Sequence, residues 1–126
     1  MSNRLYNKKH FWMQIEGSVA SIGITDFLQE KLGTIMFINL PRVGEKITTN
    51  ERFGDIESKK TVMDLEAPIS GEVIEINEMI EDEPDVINDE PYKSWLLKIK
   101  ISSMPDDLMN EEEYKERIHL PWMQNH

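Results

Sequence analysis

Phe53-Gly54-Asp55-Ile56-Glu57-Ser58-Lys59-Lys60-Thr61-Val62-Met63-Asp64-Leu65-Glu66-Ala67-Pro68-Ile69-Ser70-Gly71 is the stretch that decides how this chain is read. Arg52 to Glu57 alternates polar and apolar residues, and Val62, Leu65 and Ile69 resume an apolar pattern that Pro68 and Ser70-Gly71 interrupt. Two such runs around a short polar tip predict a β-hairpin with Ser58, Lys59 and Lys60 at its exposed turn. A lysine on such a tip is sterically open, because its neighbours are tied back into the sheet. It is therefore a good point for attaching a group covalently. Two adjacent lysines on a turn are by themselves most often a solvated pair, so the surrounding pattern has to decide.

Upstream, residues 1–9 are polar with scattered apolar side chains and read as a loosely attached start. His10-Phe11-Trp12-Met13-Gln14-Ile15-Glu16-Gly17 reads as a strand ending in a glycine turn, and Ser18 to Ile24 returns as its hairpin partner. His10 has no second histidine nearby, which favours a packed or hydrogen-bonded ring over a ligand. Thr25-Asp26-Phe27-Leu28-Gln29-Glu30-Lys31-Leu32-Gly33 is a short helix signal: Thr25 or Asp26 caps it, Leu28 and Leu32 share a face, and Gly33 stops it. Thr34 to Leu40 is apolar enough for a central strand, and Pro41-Arg42-Val43-Gly44 turns the chain.

Downstream, Glu72 to Asn77 alternates again, and Glu78 to Asn88 is an acidic loop or short helix. Its carboxylates lack the spacing and turn glycine of a calcium loop, so they read as a solvated or partner-facing surface. Pro91 opens a turn that leads into a strand ending at Ile101. Pro105-Asp106-Asp107 begins a helix through Leu108, Met109, Tyr114 and Ile118, with Lys115, Arg117 and His119 at its end and Pro121 as its stop. Many short strands separated by glycine and proline turns make the chain mainly β, a barrel or sandwich.

At 126 residues the chain suits one domain. A net charge of −10 disfavours nucleic acid, whose phosphates it would repel, and suits basic partner surfaces. No apolar run approaches the roughly 20 residues that cross a membrane. The amino terminus has no apolar signal core, so a cytoplasmic location is expected. Without cysteine, disulfide scaffolds, thiol catalysis and cysteine zinc sites are excluded. No nucleophile with a paired base and no metal cluster stands out, so the protein itself is not expected to be an enzyme.

Glu57-Ser58-Lys59-Lys60, followed by Asp64 and by Pro68-Ile69-Ser70-Gly71, resembles the lipoyl-attachment segment of the glycine cleavage system H proteins. In that family the modified lysine is the fourth residue of a Glu-Ser-x-Lys tetrapeptide, which selects Lys60 over Lys59. Gly23-Ile24-Thr25-Asp26, Leu40-Pro41-Arg42-Val43-Gly44 and Asp82-Glu83-Pro84 extend the resemblance over roughly residues 10–118. It implies a lipoyl-domain-like barrel-sandwich hybrid with a short internal helix and a C-terminal helix. The implied layout is an extension at 1–9, a lipoyl-binding domain at 10–102, and a helix and tail at 103–126.

The resemblance further implies a non-catalytic carrier with lipoate on Lys60, and with Glu57, Ser58 and Asp64 in recognition of the attachment motif. A lipoate ligase or a lipoyl or octanoyl transferase would load it, and glycine decarboxylase, aminomethyltransferase and dihydrolipoyl dehydrogenase would use it. The chain departs from the family at Phe11, where His-Glu-Trp is usual, at Phe27-Leu28, at Thr61-Val62-Met63 and in a shortened turn before Trp95. Those departures keep open a carrier outside glycine cleavage, in lipoate relay or with an ADP-ribosylation system. An unmodified interaction module is the further alternative. The Met-Lys-Met tip of biotin carriers is absent.

Overall fold

The computed structural model describes residues 4–124, with side-chain surroundings through residue 118. In chain order the elements are β1 (Arg4–Tyr6), β2 (Phe11–Glu16), β3 (Val19–Ile24), α1 (Asp26–Leu32), β4 (Ile35–Asn39), β5 (Lys46–Ile47), β6 (Arg52–Ser58), β7 (Val62–Glu66), β8 (Ser70–Ile76), α2 (Glu78–Asp82), α3 (Val86–Asp89), β9 (Leu97–Ser103) and α4 (Glu111–Gln124). Six strands form one antiparallel sheet in the order β1-β2-β3-β9-β8-β5, and β4-β6-β7 form a second. The inward side chains of both sheets share one core: Met13, Ile22 and Ile99 from the larger, Ile38, Ile56 and Leu65 from the smaller. The sandwich arises because each alternating strand has one apolar face, and two such faces leave water together.

From Arg4 onward the start of the chain is not loose. Arg4–Tyr6 pairs with β2, and Tyr6 also forms a β-bridge to Met109, with both backbone bonds at 2.8 Å. Tyr6 stacks on Tyr114 with ring centroids 4.6 Å apart, so one aromatic contact fastens both ends of the chain. Stacking of this kind needs residue 114, which nothing in the local pattern of residues 1–9 announces.

Two further expectations change. The strand over Ile35–Asn39 lies at the edge of the smaller sheet rather than at a centre. Its apolar run is interrupted by a bulge between Ile35 and Phe37, which breaks strict in–out alternation. The last helix begins at Glu111, because Met109 is held in the bridge to Tyr6, and it continues past Pro121 to Gln124. Proline has no N–H, so the helix passes Pro121 without a backbone donor there. Lys115 and Arg117 therefore sit inside the helix, away from the last turn where cations offset the dipole, and the side chain of His119 lies outside the described residues.

His10 is packed, as its isolation in sequence implies. Its ring lies 4.6 Å from that of Phe27, and Nδ1 stands 2.8 Å from the Tyr114 hydroxyl, which is 2.7 Å from Thr25 Oγ1. Burial, reinforced by the positive charges of Lys31 and Arg117, pushes the imidazole below its ordinary value. A base with a depressed folded pKa is protonated first in the unfolded chain. Stability from this site is therefore complete above roughly pH 6.5 and declines as pH falls through that value. The urea midpoint should drop between pH 7.5 and 5.5, and by less in His10→Asn, a substitution suited to the positive φ of 71° at this position. Tyr114 acts at the other end of the scale. Burial pushes its phenol up to about 12, so its stabilising contribution is complete below pH 10 and is lost as pH rises from there through about 12.

Candidate functional site

The tip of the β6–β7 hairpin is built by Ser58. The backbone N–H of Ser58 donates to the Thr61 carbonyl at 2.8 Å, closing a two-residue loop of Lys59 and Lys60. Such loops favour Asn-Gly, whose positive φ angles suit the twist of the flanking strands. Neither lysine has positive φ, and a side chain compensates. The Ser58 hydroxyl accepts from the N–H groups of Lys60 (3.2 Å) and Thr61 (3.1 Å) and donates to the Thr61 carbonyl at 3.3 Å. Ser58 is accordingly buried, at 7% exposure, and its hydroxyl points into the turn. Ser58→Ala leaves those N–H groups short of an acceptor and should cost about 1–3 kcal/mol, read as a lower urea midpoint.

A second anchor comes from the chain between α1 and β4. The Lys59 N–H donates to the Thr34 carbonyl at 3.0 Å, tying the tip to that segment. Gly33, at φ 76°, leaves room for the methylene stem of Lys60: a Cβ there would stand 3.3 Å from Lys60 Cε. The sequence shows Gly33 as a helix stop, which it is; its second duty, as the floor under Lys60, is visible only in three dimensions. Lys59 and Lys60 are exposed, and among the described residues no carboxylate pairs with either ammonium.

Asn88, placed by sequence in an acidic loop, organises this floor. Its side-chain oxygen accepts from the Ile35 N–H at 2.9 Å, and its amide nitrogen donates to the Gly33 carbonyl at 2.8 Å and to Gln29 Oε1 at 2.9 Å. One side chain thus joins α1, the Gly33 turn and β4. An asparagine in an acidic run carries no local sign of this. Asn88→Ala should lower stability by about 1–3 kcal/mol, because it orphans a backbone donor and an acceptor at once.

The remaining predicted residues lie on the outer face of β6 and β7. Asp64 accepts from Arg52 Nε at 3.0 Å, and Asp55 accepts from Arg52 Nη2 at 2.5 Å. These bonds, Asp64 first, raise the guanidinium's pKa. Glu57 is exposed and has no cation within reach among the described residues. The hairpin therefore brings Glu57, Ser58 and Lys60 to one tip and leaves Asp64 further down the ladder, opposite Asp55. Phe11, by contrast, is core: it is 1% exposed and lies 6.1 Å from Phe53 between ring centroids. Among the described residues no group of three or more metal-ligating side chains occurs, and no helix is long and apolar enough to cross a membrane.

Two antiparallel sheets around one core, with an exposed lysine on a hydrogen-bonded hairpin tip, define a carrier domain of the barrel-sandwich lipoyl type. The model of the glycine cleavage H-protein family matches residues 4–120. The glycine cleavage system H protein of Staphylococcus carnosus is 47% identical over 116 residues, covering 90% of this chain and 92% of that protein. That of Halalkalibacterium halodurans is 46% identical over 116 residues, covering 90% of this chain and 91% of that protein. The crystal structure of the Mycobacterium marinum H protein superposes with a TM-score of 0.87 at 34% identity, over 94% of this chain and 98% of that one. The chain belongs to the glycine cleavage H-protein family. Members of that family are non-catalytic carriers that hold lipoate covalently on a lysine, and this chain is such a carrier.

Proposed function

We propose that Lys60 is the lysine that bears lipoate, that Glu57, Ser58 and Asp64 support its recognition, and that a lipoate ligase or a lipoyl or octanoyl transferase attaches it. The observation that carries this reading is the Ser58-built turn, which presents the Lys60 amine beyond any described carboxylate and gives its stem a glycine floor. Attachment joins Nζ to the carboxyl carbon of the acyl group as an amide. The donor's leaving group departs, and the ammonium proton passes to a base on the attaching enzyme. Of the departures from the family, Thr61 remains compatible with this geometry, since its N–H and carbonyl both serve the turn.

Bound lipoate supplies a disulfide that is opened and re-formed while it carries an intermediate between enzymes. The chain's own contribution is position. A rigid tip confines the arm near a docked partner at a local concentration of roughly millimolar. With no cysteine anywhere in the chain, no protein thiol competes with the arm for disulfide exchange. We place glycine decarboxylase, aminomethyltransferase and dihydrolipoyl dehydrogenase as its partners, in the cytoplasm. Residues 10–102 form the lipoyl-bearing unit, 1–9 its extension, and 103–126 the C-terminal helix and tail.

Peptide mapping of protein incubated with lipoate, ATP and a lipoate ligase tests the site. One lipoyl group on Lys60 supports the reading, a group on Lys59 overturns the register, and an unmodified chain returns the protein to an interaction module. One observation favours the second pathway, a lipoate relay or an ADP-ribosylation system: Phe11 puts buried carbon where the family commonly has glutamate. Loading of the lipoylated protein by glycine decarboxylase separates the two, since a relay carrier would not be loaded.

A further inference from the structure

The outer face of the smaller sheet carries a feature that the turn itself does not need. The bulge in β4 between Ile35 and Phe37 turns two successive side chains outward, leaving Met36 41% and Phe37 60% exposed. Phe37 stands opposite Glu57, and Glu57 opposite Val62, which is 63% exposed. Cross-strand partners share a face. The last row before the tip is therefore an unpaired carboxylate flanked by two exposed apolar side chains. One row further down, Asn39, Asp55 and Asp64 form a polar row in which Arg52 already meets both carboxylates. Glu66, on the same face, meets Lys9, so of the four acids there only the one beside Lys60 lacks a cation among the described residues.

We propose that Phe37, Glu57 and Val62, with Met36, form the docking face for the enzyme that acylates Lys60, which meets it with an apolar socket and a cationic side chain directed at Glu57. The proposal rests on Lys60 as the attachment site. Reach selects this partner among those that visit the tip. An unmodified lysine has only four methylenes, so an acylating enzyme must bring its donor to the turn and close over residues one row away. Enzymes that act on the finished carrier meet the end of a much longer arm and need not touch this row. Charge selects the same chemistry: the chain carries −10 overall, and a basic rim is steered towards the one uncompensated acid beside the amine. Apolar side chains held in water have burial energy that an isolated carrier leaves unused.

The test is the rate of lipoylation by a purified lipoate ligase, followed by intact mass at varied carrier concentration, for Phe37→Ser, Val62→Thr, Glu57→Gln and Lys60→Arg. Phe37→Ser is expected to raise KM about tenfold and Val62→Thr about threefold, with kcat near wild type, because exposed residues of a docking face contribute binding rather than chemistry. Glu57→Gln is expected to raise KM and to flatten its dependence on salt. Thermal midpoints of Phe37→Ser and Val62→Thr should stay near wild type, since neither side chain is buried. Phe37→Ser and Val62→Thr, once lipoylated in a long incubation, should be reduced by dihydrolipoyl dehydrogenase at the wild-type rate. Unchanged KM in Phe37→Ser and Val62→Thr overturns the proposal. So does a loss in the dehydrogenase step equal to that in lipoylation, which would make the face a general one. A lipoyl group gained by Lys60→Arg removes the attachment site itself, and with it both readings.

Discussion

Lys60→Arg should end lipoylation altogether, while Lys59→Arg should leave it largely intact. The two residues share a loop and a charge, so composition does not separate them; the proposal of Lys60 draws on their different places in the turn. The Lys59 backbone is spent on anchoring the tip through the 3.0 Å bond to Thr34, and the Lys60 N–H on the Ser58 hydroxyl. The Lys60 stem alone lies against Gly33, in a space cleared by the absence of a Cβ. Arginine keeps the positive charge and most of the length, so the fold and the acidic surroundings are undisturbed. It cannot give up its proton to become a nucleophile, however, because its pKa stays above about 12. Intact mass after incubation with ligase should show one lipoyl group on wild type and on Lys59→Arg, and none on Lys60→Arg. A gain on Lys60→Arg that Lys59→Arg lacks would move the attachment site by one residue.

The largest loss of stability is expected from Gly54→Ala. A Cβ at this position would stand 2.2 Å from the Asn39 carbonyl oxygen, a backbone atom held in the β4–β6 ladder by its own pairing with Asp55. No rotamer relieves a clash between two backbones, so one strand has to shift. Overpacking typically costs about 1–3 kcal/mol, and a rigid backbone neighbour places this site at or above the upper end. The shift also reaches the carrier site, because β4 follows directly from the Gly33–Thr34 segment that supports Lys59 and Lys60. A urea titration should show the lower midpoint, and the lipoylation rate of the folded fraction should fall with it. A midpoint equal to wild type would mean that β4 yields freely and that its register does not hold the tip.

The residues that could be read in sequence are those whose roles are local. The hairpin was legible because alternation in Arg52–Ser58 and Val62–Glu66 is imposed by one buried face. The cap at Thr25 and the stop at Gly33 were legible because helix ends leave unpaired groups that only a few residue types satisfy. The Glu57-Ser58-Lys59-Lys60 tip belongs to the same class: a serine that folds its own turn needs its partners two and three residues on, and they are there in the sequence.

Tertiary structure decided whatever depends on residues far apart in the chain. Residues 4–6 become a strand because Tyr6 meets Tyr114 and Met109, over a hundred positions away. The apolar run after Thr34 becomes an edge strand because the smaller sheet has only β6 for it to pair with, and its bulge then turns Met36 and Phe37 to solvent. Asn88 becomes the brace under the tip because three backbone and side-chain groups from α1, Gly33 and β4 converge on one amide. Sequence alone thus determined that a lysine stands on a β-hairpin in a mainly β carrier, since period and turn chemistry act between near neighbours. The floor, brace and flanking apolar face of that lysine come from contacts closed by the fold, and long-range contacts leave no periodic trace in the chain.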